Sequence, residues 1–156
     1  MKSIFAVATA IALIAVAGPG MAAGTASLSV TATVSPACGF STVPTTAVAF
    51  TIDPGSTAVA NSTGGSVSAW CTTGQNGIVT IGAGLNDSGG NKRMVSLNAP
   101  GTPIVYTLSM PVTAVVGAGR SNATVLTVNG QVQPIDFQNA NPAVDYTDTV
   151  TLTINP

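Results

Sequence analysis

The chain has 156 residues, of which 46% are hydrophobic and only 6% are charged, with 17 Gly, 10 Pro and no His. The usual charged share is about 25%, and without His, the usual titrating group near neutral pH, or an evident pair of apposed carboxylates, acid–base catalysis is not expected. A net charge of −1 supplies no basic face for nucleic acid, and so apolar a composition is far from that of a disordered chain.

In chain order, the first element reads as a cleaved secretory leader. Lys2 gives the positive start, Ile4 to Ala17 is an apolar run, Gly18-Pro19-Gly20 breaks it, and small residues follow through Gly24. Cleavage is expected after Ala22 or Gly24, so residues 1–24 are assigned to the leader. The apolar run is shorter than the roughly 20 residues a spanning helix needs, which favours cleavage over anchoring. Without Lys2, three basic residues (Lys92, Arg93, Arg120) face five aspartates, a net charge of −2. So weakly charged a surface suits a protein made to associate.

The remaining pattern has period two. In Leu28-Ser29-Val30-Thr31-Ala32-Thr33-Val34 every even position is apolar and every odd one is Ser or Thr, as in a half-buried strand. Further strands are predicted near Ala47–Ile52, Ser66–Cys71, Gly77–Ala83, Lys92–Leu97, Pro103–Ser109, Ala123–Gln133 and Tyr146–Ile154, separated by turn clusters such as Asn86-Asp87-Ser88-Gly89-Gly90-Asn91. No window shows a capped amphipathic helix. Short strands at this spacing predict an all-β, immunoglobulin-like antiparallel sandwich of one domain, with a barrel as the other architecture the spacing allows.

The chain holds two cysteines, Cys38 and Cys71, and in a secreted protein an even count reads as one disulfide. A metal-binding or reactive thiol would need an activating His, Lys or further cysteines nearby, and none is present. No metal or cofactor is therefore expected.

Taken together, Cys38, the stretch Gly64-Gly65-Ser66-Val67-Ser68-Ala69-Trp70-Cys71-Thr72-Thr73-Gly74, the segment Ile81-Gly82-Ala83-Gly84-Leu85-Asn86 leading to Lys92-Arg93-Met94, Val105-Tyr106-Thr107-Leu108, Gly130-Gln131-Val132-Gln133-Pro134 and Asp145-Tyr146-Thr147-Asp148-Thr149-Val150 resemble the spore coat protein U domain of archaic (Csu-type) chaperone-usher pilins. The resemblance spans essentially the whole mature chain. It departs where Thr51 follows Phe50, where Val144 stands two residues before Tyr146, and where the chain ends in Pro156.

That resemblance implies an incomplete sandwich, lacking its final strand, with a hydrophobic groove. A periplasmic chaperone would fill the groove first, and at an outer-membrane usher the N-terminal strand of another identical or related subunit would replace it. Residues 25–35 would then be the donor strand, with Leu28, Val30, Ala32 and Val34 as its groove-filling face, and 36–156 the pilin domain. Secretion through the periplasm to a cell-surface fimbrium follows, and a chain with room for one domain is expected to be a shaft subunit. The other function class is a free-standing secreted coat or binding protein whose first strand completes its own sheet.

Among the polar residues, Asp145 and Asp148 are three apart on a strand, so turn and surface roles are expected rather than paired acid and base. Asp87 offers too few carboxylates for calcium. Lys92-Arg93 reads as a solvated hairpin flank, Tyr146 as a hydrogen-bonding residue at a strand corner, and Trp70 as a packing residue near the disulfide.

Overall fold

A computed structural model describes residues 24–41, 46–62 and 64–156; most of the predicted leader lies outside the described residues. Residues Val34–Pro156 make one compact unit, and residues 24–33 belong to another.

The larger unit is an antiparallel sandwich. One sheet runs in the order β1 (Cys38–Phe40), β3 (Gly65–Cys71), β8 (Thr124–Val132), β6 (Ile104–Ser109) and β5 (Lys92–Met94), with β2 (Ala60–Asn61) also paired to β8. The second sheet runs β7 (Ala114–Val115), β4 (Gly77–Gly84), β9 (Val150–Asn155), which leaves β9 at an edge. Every ladder is antiparallel.

The strands form where period two separates faces. In β3 the residues Gly65, Val67, Ala69 and Cys71 are buried while those between them are half-buried; in β8 Leu126, Val128 and Val132 turn inward and Val125, Thr127 and Gln131 outward. The inward residues form two clusters. One gathers Val67, Ala69, Cys71, Val79, Val115 and Leu126; the other gathers Ile104, Tyr106, Val132 and Phe137.

Cys38 and Cys71 stand directly opposite each other across β1 and β3 and are joined as a disulfide. The Thr72 amide donates to the Ala37 carbonyl at 2.8 Å, so the next pair, Cys38–Cys71, is a non-hydrogen-bonded one, where side chains come closest. Gly77 packs behind the bridge: a Cβ there would sit 2.9 Å from the Cys71 sulfur and 3.1 Å from that of Cys38.

Leu28–Val34, the expected donor strand, has no strand pairing among the described residues, and Leu28, Val30 and Val34 are 88%, 84% and 83% exposed. Several other elements differ from the sequence expectation. The predicted strand Ala47–Ile52 also lacks a ladder, although Val48, Phe50 and Ile52 stay half-buried while Ala47, Ala49 and Thr51 are exposed. The predicted strand at Tyr146 begins only at Val150, because Asp145–Thr149 form side-chain and bridge contacts instead of a ladder. A one-turn helix, α1 (Pro134–Phe137), follows β8; Pro134 occupies its first turn, where a missing N–H costs nothing, and Phe137 is buried beneath it.

Candidate functional site

A cleft of about 1370 Å³ opens along the sandwich, larger than the roughly 300–1,000 Å³ of an ordinary small-molecule pocket. It draws on both core clusters, with Val67 and Leu152 from one and Ile104, Tyr106, Phe50 and Val150 from the other. Its lining is predominantly apolar. The unpaired segment around Val48–Ile52 and the edge strand β9 both contribute, and β9 turns Val150, Leu152 and Ile154 inward while Thr151, Thr153 and Asn155 face solvent.

The sequence makes this cleft by two devices. Gly130 on β8 carries no side chain where one would point into the core, and Val48 and Phe50 occupy that space: a Cβ at Gly130 would lie 2.8 Å from Val48 Cγ1. Phe50 then packs at a tilt against Tyr106, ring centroids 6.2 Å apart. The segment is thus held by side-chain packing instead of backbone pairing.

Polar groups gather where β9 begins. The buried Tyr106 donates its hydroxyl to Asp148 Oδ2 at 2.6 Å, and Asp148 Oδ1 accepts from the Asn86 backbone amide at 3.0 Å, the Asn86 side chain at 3.2 Å and the Thr149 amide at 2.9 Å. Burial first, and then the bond to Asp148, push the Tyr106 phenol well above its ordinary range. Gly84 makes room: a Cβ there would collide with the Asp148 carboxylate. Arg93 Nε donates to the Asn86 carbonyl at 3.0 Å, so this arginine braces the turn and is more than the solvated flank the sequence suggests.

Asp145 has different partners. Its carboxylate accepts from Ser96 Oγ, from the Leu97 and Asn98 amides at 3.1 and 3.3 Å, and from the Asn98 side chain at 2.9 Å. The Ser96 bond is the main reason its acid form is harder to reach than an ordinary aspartate's. Between the two aspartates, Thr147 and Val95 exchange backbone hydrogen bonds at 3.0 and 2.9 Å. Tyr146 donates to the Asn141 carbonyl at 3.0 Å, a corner bond of the kind its position suggests. Asp145-Tyr146-Thr147-Asp148 is thus a clamp that fixes the entry of β9, with each carboxylate engaged by separate structural partners.

Trp70 differs from the expectation in its surroundings. Strand alternation puts it on the face opposite Cys71, where a Cβ at Gly39 would touch its ring at 3.5 Å and the Arg120 guanidinium sits 5.4 Å from the ring centroid. The sequence reading missed the Tyr106–Asp148 bond and Gly84. Their only sequence signal was a Gly-rich strand end and a Tyr-x-Asp, which name no partner.

These features define an antiparallel β-sandwich with an apolar, strand-sized cleft beside an edge strand. The chain belongs to the Spore Coat Protein U domain family, whose family model matches residues 24–153. That family is associated with subunits of chaperone-usher pili and is a structural, pilin-type family. No curated protein matches the chain.

Proposed function

We propose that this protein is a structural pilin subunit that polymerises by strand addition, the cleft of one copy taking residues 25–35 of another. The single observation that carries the reading is the pairing of an apolar cleft beside edge strand β9 with an exposed alternating segment in the same chain. A strand entering beside β9 would gain main-chain hydrogen bonds, and Leu28, Val30, Ala32 and Val34 on one face would enter the cleft. Joining of this kind is head-to-tail and does not close, so it builds a filament.

On this reading, a periplasmic chaperone shields the cleft before joining and an outer-membrane usher is where exchange occurs. The product is an extracellular fimbrium that serves adhesion and biofilm formation. The Cys38–Cys71 disulfide is in keeping with export through an oxidising compartment.

Deletion of the residues between the leader and Ser35 tests it. The truncated subunit is expected to fold with a chaperone and accept a partner, yet be unable to donate and so form no fibres. Fibres equal to those of the intact protein would overturn the proposal.

A further inference from the structure

The cleft does not end at its apolar lining. Ala143 and Val144, with Asn98, line the cleft, and Val144 is fully exposed. Leu97 is 92% exposed, and its amide donates to the carboxylate of Asp145, the residue that follows Val144. Two bare aliphatic side chains on braced loops at this place need no such exposure to hold the clamp, whose work is done by Ser96, Asp145 and Tyr146.

Chain length decides what meets them once a strand from another copy occupies the cleft. In every copy the body begins at Ala37, whose carbonyl and amide both bond to Thr72. Only Ser35 and Pro36 separate Val34 from it. Three Cα steps span no more than about 10–11 Å, and Pro36 keeps Ser35 extended, so the link cannot loop away. The incoming body must therefore abut one end of the cleft. Since every ladder is antiparallel, a strand antiparallel to β9 ends, at its Val34, beside Val150. That is the end at which Asp145–Asp148 lead into β9; the exposed Val144 immediately precedes this segment, and the exposed Leu97 is tied to it through Asp145.

We propose that Leu97 and Val144 form a second docking surface, for the body of the next copy, which adds to strand insertion when two subunits join. The inference rests on the strand-addition reading. It assigns to this rim the difference between binding a free strand and binding a whole subunit.

The test compares the two directly. The receiver is the full chain carrying Val30→Asp and Ala32→Asp, which prevents it from donating; the ligands are a labelled peptide of residues 25–35 and the intact chain that displaces it. The intact chain is expected to bind about tenfold more tightly than the peptide, the scale of burying one exposed aliphatic side chain. Leu97→Ser in the receiver, at a position outside the cleft lining, is expected to erase that advantage while peptide affinity changes less than about twofold. A photo-crosslinker at Leu97 should also capture residues beyond Ser35 of the other copy.

Peptide binding with an advantage unchanged by Leu97→Ser, or crosslinks confined to residues 25–34, would overturn the rim proposal alone. Failure of both peptide and chain to bind would overturn strand addition, and the rim proposal with it.

Discussion

Tyr106 of β6 and Asp148 ahead of β9 are joined by a 2.6 Å hydrogen bond that ties one sheet of the sandwich to the entry of the edge strand of the other. The bond lies among the residues that line the cleft. It fixes where β9, and hence any strand added beside it, begins.

Removing the phenol therefore has a defined effect. Tyr106→Phe is expected to cost about 1.5–3 kcal/mol, the scale of a hydrogen bond to a charged group, measured by urea denaturation of the full chain near pH 8. The alkaline limb has a definite sign. The folded phenol titrates above its ordinary value near 10, so its contribution is complete below pH 10 and is lost as pH rises beyond that. Tyr106→Phe should lose this part of the alkaline destabilisation, and an unchanged alkaline limb would contradict the assignment.

Gly84→Ala should act on the same bond from the other side. Its Cβ displaces the Asp148 carboxylate, releasing both Tyr106 and Asn86. The expected cost is about 1–3 kcal/mol. Because one bond is lost in either variant, the double variant Gly84→Ala with Tyr106→Phe should be less destabilised than the sum of the two; additivity would show the sites to be independent.

Acid should loosen the Ser96–Ala99 turn. The folded Asp145 carboxyl titrates below its ordinary value, so the stabilisation is present above about pH 4 and is lost as pH falls through the folded value. Amide hydrogen exchange at Leu97, Asn98 and Ala99 is expected to rise on acidification, and Ser96→Ala should shift the midpoint upward. An unaltered midpoint in Ser96→Ala would remove Ser96 as the cause.

The phase of the N-terminal segment predicts an alternating result. Val30→Asp or Ala32→Asp should weaken subunit joining by about a hundredfold or more, because each would bury an unpaired charge in the cleft. Thr31→Asp and Thr33→Asp, on the opposite face, should have mild effects. Equal losses at both phases, read by peptide binding, would refute the assigned face.

Replacing both Cys38 and Cys71 with Ala should destabilise the unit by about 3–4 kcal/mol, as expected for opening a loop of this size. The sequence separation across the bridge is 33 residues. Thermal unfolding of the full chain measures it, and a loss below about 1 kcal/mol would mean that the unfolded chain already keeps these two ends close without the bridge.

Much of the sandwich was legible in the chain. Period two marked β3, β4, β6 and β8 nearly to the residue, since alternation is a local property of a strand with one buried face. Strands of two residues, β2 and β7, carry too little pattern to be seen, and α1 is a single turn announced only by Pro134. Alternation alone overstated Ala47–Ile52, because a strand-like pattern shows which face wants burial and not whether a partner strand lies alongside.

The sequence by itself determined the class of protein. Its lack of His and scarcity of charge, its single cysteine pair and its alternating Thr-, Val- and Gly-rich segments defined a sparsely charged, disulfide-tied β-sandwich with a family resemblance along its length. Only the tertiary structure decided which residues share a space. It put Gly130 under Phe50, Gly84 under Asp148 and Tyr106 against that carboxylate, and it left β9 at a sheet edge beside an apolar cleft. The physical reason is that edges, clefts and buried hydrogen bonds are properties of pairs of segments far apart in the chain, whereas periodicity and composition belong to each segment alone.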